Sequence, residues 1–227
     1  MKPDIVYEDG NIIICNKPAG VASQSDRSFD ADLLGGVKTY RSERGDKGET
    51  FIINRLDKPV GGLVLFALNK RTAAALSAMS GERSIEKRYY AVVCGETEPK
   101  GAYNDWLLKE PKENYSKTVP DGTPGAKKAA LTYETIASRM IDGTVYSLVG
   151  IRLHTGRHHQ IRVQFASHGH AVYGDTKYNQ AFASRRGVTP ALFAYMLSFN
   201  NPSGADRVSV VIKPEGGVWQ EFERYFA

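Results

Sequence analysis

Short apolar runs separated by polar turn sequences make up most of the chain. Residues 5–8 and 11–16 are two such runs joined by an Asp-Gly pair, which predicts a β-hairpin. The continuous apolar run at residues 62–67 predicts a buried strand. Alanines and a leucine at helical spacing follow over residues 70–79, and Asn69 in front of them predicts an N-capped helix.

The remaining pattern is rich in strands and poor in helices. One helix is predicted at about residues 30–40, another from about His158 to Gly169, and a short one at the C-terminus. Further strands are predicted at residues 89–93, 129–136, 144–153, 192–199 and 207–212. Because strands and helices do not alternate regularly, we expect an α+β fold with a mixed, largely antiparallel sheet and flanking helices.

The length of the chain limits its domain organisation. A chain of 227 residues forms one large domain or two small ones. Residues 96–125 are rich in Pro, Gly and charge, yet Trp106 and the two leucines after it favour burial. We therefore expect a single domain over 1–227, in which a long excursion at 96–125 joins sub-halves at about 1–95 and 126–227. We expect this domain to be a monomer.

Composition and charge exclude several classes of protein. The longest apolar runs have the length of a strand, so we expect no membrane-spanning helix. Acidic residues close to the N-terminus argue against a secretory signal, which favours the cytoplasm. Cys15 and Cys94 lie in apolar runs, which indicates buried thiols rather than a disulfide. The net charge of +5 is compatible with a polyanionic partner.

A charged cluster with two glycines, NRLDKPVGG at residues 54–62, precedes the most apolar strand. Glycines let a ligand or another backbone segment approach closely. Arg55 and Asp57 flank Leu56, so an extended backbone places both side chains on one face. A surface ion pair explains this arrangement as well as a functional site does.

All five histidines fall within residues 154–170, around a predicted helix. Imidazoles three or four residues apart can share zinc, but the interleaved Arg157 and Arg162 make a cation site unfavourable, so we predict no metal. A helix that begins after Thr-Gly-Arg-His offers unpaired N–H groups and positive charge. Arg157 and His158 are therefore predicted to bind an anion, either an RNA phosphate or a carboxylate of the protein such as Asp57.

Sequence motifs for nucleotide cofactors and for serine or cysteine nucleophiles are not found. The chain has no Walker or dinucleotide fingerprint and no G-x-S-x-G elbow, and Cys94 lies in the strand-like YYAVVCG. We therefore predict that the protein uses no cofactor.

Four segments carry a resemblance to a known family. In chain order they are YEDGNIIICNKPAG, NRLDKPVGGLVLFALNK, EKRYYAVVCG and LHTGRHHQIRVQFASHGHAVYGDTKY. On these segments the chain resembles the RluA-type pseudouridine synthases, which isomerise uridine to pseudouridine in structured RNA. The resemblance covers nearly the whole length. It implies the pseudouridine synthase catalytic fold, with transfer RNA or ribosomal RNA as the partner.

The resemblance also implies roles for individual residues. Asp57 of the RLD triplet is implied to be the catalytic aspartate, and Arg162 of HQIR its ion-pair partner. Tyr89 of the KRY motif is implied to stack on the uracil, and Lys87 of the same motif is assigned to RNA binding. Arg55 is implied to enter the RNA helix beside the flipped base. Without the motif, Tyr89 is more simply interpreted as a core tyrosine on a strand.

The chain departs from the family pattern in three places. The family usually has His where Asn54 stands and an acidic-Thr-Ser-Gly run where residues 59–62 stand, and it often has His where Gln164 stands. These departures bear on target choice and on the position of the loop that carries Asp57. The chain begins directly at the first predicted strand, so we expect no S4-type RNA-binding domain before it. Asp175 in YGDTKY is interpreted as a turn residue.

Two other functions remain open from the sequence alone. A non-catalytic RNA-binding module would keep the basic surface, but it would have no need for Asp57 and Arg162. A glycosidase-type hydrolase usually has two carboxylates around the bond, where this sequence supplies cations. The chemical route also stays open: Asp57 attacks uracil C6, attacks ribose C1′, or removes the C2′ proton.

Overall fold

The computed structural model describes residues 1–25, 31–204 and 206–226. In chain order the strands are β1 (Asp4–Glu8), β2 (Ile12–Lys17), β3 (Phe51–Ile52), β4 (Gly61–Ala67), β5 (Glu86–Cys94), β6 (Lys100–Glu110), β7 (Tyr115–Val119), β8 (Lys127–Ile141), β9 (Thr144–Leu153), β10 (Leu192–Asn200) and β11 (Arg207–Val211). The α-helices are α1 (Leu33–Glu43), α2 (Lys70–Gly81) and α3 (Gln160–Ser167). Short 3-10 helices cover Pro111–Glu113, Gln180–Phe182 and Gly217–Tyr225.

Most predicted elements are present. Asn69 caps α2 as predicted, because its side chain accepts a hydrogen bond from the Thr72 N–H at 2.9 Å. The helix predicted at 30–40 corresponds to α1, and residue 30 lies outside the described residues. Helix α3 is shorter than predicted at both ends, and the C-terminal helix is a 3-10 helix. The predicted fold class, a mostly antiparallel sheet with few helices, is confirmed.

The chain forms two compact units. Unit 1 contains Met1–Lys87 and Ala194–Lys213, and unit 2 contains Arg88–Phe193 and Pro214–Ala227. The residue ranges of these units differ from those of the sub-halves expected at 1–95 and 126–227. The segment at 96–125, expected to be an excursion, instead supplies β6 and β7 to the sheet of unit 2.

Unit 1 is built on a sheet in the order β1-β2-β4-β10, with β3 beside β4 and β11 beside β10. Every residue of β4 is buried, in agreement with its apolar sequence. The core includes Ile14 of β2, Leu65 of β4 and Leu76 of α2. Gly62 has φ +117°, and a Cβ atom there would collide with the Ala194 backbone. This glycine therefore allows the close approach of β4 and β10 just after the charged cluster.

Unit 2 is built on five antiparallel strands in the order β5-β9-β8-β6-β7. Helix α3 covers one face of this sheet, which we call the inner face. Phe165 of α3 packs against the rings of Tyr103 and Tyr133, and Val163 packs against Leu107. The inner face is therefore formed by the odd-numbered residues of β6 and the first half of β8.

Candidate active site

The loop between β3 and β4, residues 53–60, carries two predicted site residues, and we call it the aspartate loop. Arg55 is exposed, Leu56 is buried and Asp57 is half-buried. This alternation is typical of an extended backbone. It puts Arg55 and Asp57 on the side of the loop opposite to Leu56, as the sequence predicts.

Hydrogen bonds hold the backbone on both sides of Asp57. The Ser23 hydroxyl accepts from the Leu56 N–H at 3.0 Å and donates to the Leu56 carbonyl at 2.9 Å. The Lys58 carbonyl accepts from the Lys17 ammonium at 3.2 Å. The last residue of β2 and the segment that follows this strand therefore fix the backbone that carries the Asp57 carboxylate.

Lys17 is a supporting residue that has no role in the sequence-based predictions. Its side chain is fully buried, and Nζ also donates to the carbonyls of Pro18 and Val21 at 3.1 and 2.6 Å. Burial lowers the pKa of Lys17 to about 8, while the negative charge of Asp57 acts in the opposite direction. The one signal in the sequence is its position, a lysine two residues after the apolar run IIIC.

Asn54 stands where the family usually has His, and its amide acts like a residue of a neighbouring strand. Nδ2 donates to the Leu63 carbonyl at 3.2 Å, and Oδ1 accepts from the Leu65 N–H at 2.7 Å. One side chain thus supplies a donor and an acceptor to the edge of β4, as a paired strand does. This departure from the family pattern anchors the start of the aspartate loop.

In unit 2, α3 places Arg162 against a buried carboxylate. Arg162 and Asp175 are 4 % and 0 % exposed. The guanidinium donates from Nε to Oδ2 at 2.7 Å and from Nη2 to Oδ1 at 2.8 Å. The Arg162 Cζ lies 5.1 Å from the centre of the Tyr178 ring, within cation–π range. A bidentate pair of this kind fixes both the position and the plane of the guanidinium.

Asp175 does more than form the turn predicted for it. Its carboxylate accepts from the N–H groups of Lys177 and Tyr178 at 2.9 and 3.1 Å, so it does organise a turn. Its bond to Arg162 was not expected, because the two residues are 13 positions apart and meet only in the folded unit. Arg162 is predicted to pair with Asp57, which belongs to unit 1, and that pairing stays a prediction.

The residues just before α3 join its N-terminus to the loop before β7 and to β7 itself. His158 Nδ1 is 2.8 Å from the Ser116 hydroxyl, and Nε2 is 2.9 Å from the amide oxygen of Asn114. Because an amide oxygen only accepts, Nε2 is the donor in that bond. Arg157 is exposed, and its Nε donates to the Lys128 carbonyl at 2.9 Å. RNA binding by Arg157 and His158 stays a prediction.

The KRY motif lies in β5. Tyr89 is 8 % exposed and is paired in register with the buried Ile151. Lys87 is half-buried, its Nζ lies 3.3 Å from the Ser80 hydroxyl, and burial lowers its pKa. This position suits both interpretations of Tyr89, the core residue and the base-stacking residue. The roles of Tyr89 and Lys87 therefore stay predictions.

The histidines bond to separate partners. His168 Nε2 is 3.2 Å from an Asp105 carboxylate oxygen, and His170 Nδ1 is 3.0 Å from the Cys94 carbonyl. Among the described residues, no group of three or more His, Cys, Asp or Glu side chains is arranged to hold a metal ion.

Comparison with known proteins assigns the family. The model of the family described as RNA pseudouridylate synthase matches residues 11–167. The chain belongs to this family. It is 31 % identical over 224 residues to tRNA pseudouridine synthase C of Haemophilus ducreyi, covering 92 % of this chain and 90 % of that one. It is 30 % identical over 220 residues to ribosomal large subunit pseudouridine synthase D of Neisseria meningitidis, covering 92 % of this chain but 57 % of that one.

Two solved structures share the fold of this pseudouridylate synthase. Human RNA pseudouridylate synthase domain containing 4 has a TM-score of 0.79 at 19 % identity and covers 98 % of this chain and 92 % of that one. Human RNA pseudouridylate synthase domain containing 1 has a TM-score of 0.75 at 21 % identity, covering 99 % and 94 %. The family and the enzyme class predicted from the sequence, an isomerase of the RNA pseudouridine synthase type, are confirmed.

Within the described part of the chain, no helix is long and apolar enough to span a membrane.

Proposed function

We propose that this pseudouridylate synthase converts a uridine of structured RNA into pseudouridine, and that Asp57 is the carboxylate that reacts. The aspartate loop is the observation that best supports this proposal. Ser23 and Lys17 hold the backbone on either side of Asp57, whose half-buried side chain lies on the same side as the exposed Arg55. A carboxylate held in a braced loop suits a reaction that depends on accurate positioning.

The chemistry needs one ionised carboxylate and no co-reactant. The N1–C1′ bond breaks, a C5–C1′ bond forms, C5 loses its proton and N1 gains one. Asp57 starts this sequence by attack at C6, by attack at C1′, or by removal of the C2′ proton. A guanidinium favours the ionised form of a carboxylate, which is the role we assign to Arg162. Asp175 would then keep the Arg162 guanidinium in a fixed plane.

The RNA contacts follow from the need to expose the target base. Extrusion of a base from a stack costs a few kcal/mol. We propose that Arg55 fills the place that the extruded base leaves in the stack, and that Tyr89 stacks on the uracil. Arg157 is the exposed candidate for a phosphate contact, whereas His158 and Lys87 are half-buried and bonded within the protein.

The named relatives suggest the substrate class. One carries the name of a tRNA pseudouridine synthase and the other that of a ribosomal large subunit pseudouridine synthase. We propose transfer RNA or ribosomal RNA as the substrate. The test is incubation of the purified protein with transcripts of both kinds, followed by digestion to nucleosides and chromatography with mass detection. Pseudouridine has the mass of uridine but elutes separately.

The same assay separates the alternatives. Free uracil would indicate a hydrolase, and unchanged RNA that still binds would indicate a non-catalytic module. Asp57→Asn is expected to abolish isomerisation while RNA affinity is retained, because the change removes the reactive charge and keeps the volume. Asp121→Asn is the matched control at an exposed turn and is expected to be fully active. Turnover by Asp57→Asn close to wild type would refute the assignment.

A further inference from the structure

The sheet of unit 2 has a second face that the proposed reaction does not use. Side chains alternate along a strand, so the even-numbered residues of β6 and of the first half of β8 point away from α3, onto what we call the outer face. The register places Arg88, Arg152 and Thr132 in one row across β5, β9 and β8. A second row contains Lys128 of β8 and Trp106 of β6. Lys128, Thr132 and Arg152 are exposed.

Positive charge is in excess on this part of the outer face. Two of its carboxylates, Glu110 and Glu134, each form an ion pair with a lysine of the same face, at 2.9 and 2.8 Å. A third, Glu86, lies two residues before Arg88 on β5 and forms an ion pair with Arg207 at 3.6 Å. Arg88, Arg152 and Lys128 belong to the same face, so its described basic side chains outnumber its carboxylates. The face therefore presents a net positive charge that a polyanion would neutralise.

The side chains around these cations suit a nucleic acid. Trp106 is half-buried and lies directly across from the exposed Lys128. Basic side chains bind phosphates, hydroxyl groups such as that of Thr132 add hydrogen bonds, and aromatic rings stack on unpaired bases. Arg157 extends the basic surface, because its Nε bonds to the Lys128 carbonyl and its N–H donates to the side chain of Gln160 at the start of α3.

We propose that the outer face of unit 2 is a docking surface for the phosphate backbone of the RNA substrate, away from the target nucleotide. The kind of partner rests on the proposed function. Arg88 and Tyr89 are neighbours on β5, so Arg88 belongs to the outer face while Tyr89 and Ile151 belong to the inner face. The surface is therefore separate from the residues assigned to the uracil, and it acts on affinity and on the choice among RNAs.

The test compares wild type with the double variant Lys128→Gln/Arg152→Gln. Lys38→Gln/Arg71→Gln is the matched control, since it removes the same two charges from exposed positions of α1 and α2. Binding is measured over a range of salt concentrations for a long structured RNA and for a short stem-loop with the target region only. Two lost phosphate contacts are expected to reduce the slope of log K against log salt by roughly 1.5 on the long RNA, and to weaken binding about 30-fold at 0.1 M salt.

The double variant is expected to bind the short stem-loop like wild type, and the control is expected to bind both RNAs like wild type. Unchanged binding of the long RNA, an equal loss in the control, or an equal loss on the short stem-loop would overturn the proposal. Pseudouridine formation is scored separately. If the wild-type protein binds RNA but makes no pseudouridine, the proposed function is wrong, while the binding result for the docking surface is unaffected.

Discussion

Replacing Asp175 with Asn tests whether the buried ion pair holds Arg162 in place. The change keeps the shape of the side chain, removes its charge, and turns one acceptor oxygen into a donor group. Oδ1 accepts from Arg162 Nη2 and from the N–H groups of Lys177 and Tyr178, while Oδ2 accepts from Arg162 Nε. The best placement of the amide keeps its oxygen at Oδ1. Its NH₂ group then faces the Nε–H of Arg162, donor against donor.

The structure sets the size of the effect. Arg162 is 4 % exposed and Asp175 is fully buried, so water does not replace the lost bond. Breaking a buried ion pair from one side costs about 3 to 5 kcal/mol. Because the amide keeps one of the two bonds to Arg162, we expect the lower end, about 3 kcal/mol of unfolding free energy. For a chain of this length that lowers Tm by roughly 6 to 12 °C.

Urea unfolding of wild type, Asp175→Asn, Arg162→Gln and the double variant measures the coupling between the two side chains. We expect about 2 kcal/mol of coupling, within the usual range for contacting residues. Asp142→Asn makes the same change at the exposed turn between β8 and β9 and is expected to stay within about 0.5 kcal/mol of wild type. A loss below about 1 kcal/mol for Asp175→Asn, without coupling, would refute the reasoning. Packing on Tyr178 would then be what holds Arg162.

Three further changes test other parts of the molecule. Arg55→Ala is expected to slow single-turnover isomerisation roughly tenfold to a hundredfold on a stem-loop, and much less on an RNA whose target uridine is already unstacked, because no gap then needs filling; equal losses on both RNAs would disprove this role. Lys17→Met removes the hydrogen bonds of the buried ammonium to the Pro18, Val21 and Lys58 carbonyls and is expected to cost about 2 kcal/mol of unfolding free energy at pH 7. Since folding lowers the Lys17 pKa from 10.5 to about 8, the unfolded chain binds more protons between these values, and wild type should gain stability relative to Lys17→Met as the pH rises from 8 to 10.5. Urea titrations at pH 7, 9 and 10 check both statements, and a difference that shrinks with pH would contradict the second. The Cys15 thiol, whose pKa burial raises to about 12, is expected to resist a thiol reagent at pH 8 until the chain unfolds, as peptide mapping of the labelled protein would show.

The elements that the sequence predicts are those whose pattern is local. The apolar run at 62–67 and the helical spacing at 70–79 are each complete within a few residues, and both elements are present. Strand β6 is different, because Asp105 lies on the inner face among core residues. Its carboxylate accepts from Gln164 Nε2 at 2.7 Å and lies 3.2 Å from His168 Nε2. A charged residue at a core position interrupts the alternation of apolar and polar residues by which a strand is recognised. The partners of Asp105 are more than fifty residues away in the chain.

The residues of the candidate site form the same two groups, those in a local sequence pattern and those whose partners are distant in the chain. Asp57 and Arg162 are predicted from the sequence because the motifs that contain them are short and continuous. The residues that support them act over distance: Ser23 holds a residue 33 positions away and Lys17 one 41 positions away. Asp175 has a local signal, but only for its turn. The roles of such supporting residues are recognised from the structure, where the fold brings them next to their partners.

Asn54 and Gln164 show what the departures from the family pattern do. Each places a primary amide where an imidazole is usual. Asn54 braces the aspartate loop, and Gln164 accepts from Gln160 Nε2 at 2.9 Å within α3. An amide supplies a donor and an acceptor without titrating, whereas an imidazole changes its charge at about pH 6.5. At these two positions the elements that carry Asp57 and Arg162 are therefore braced by amide groups, which do not titrate. A supporting group that does titrate is Lys17, whose ammonium donates to the Lys58 carbonyl of the aspartate loop and whose pKa burial lowers to about 8.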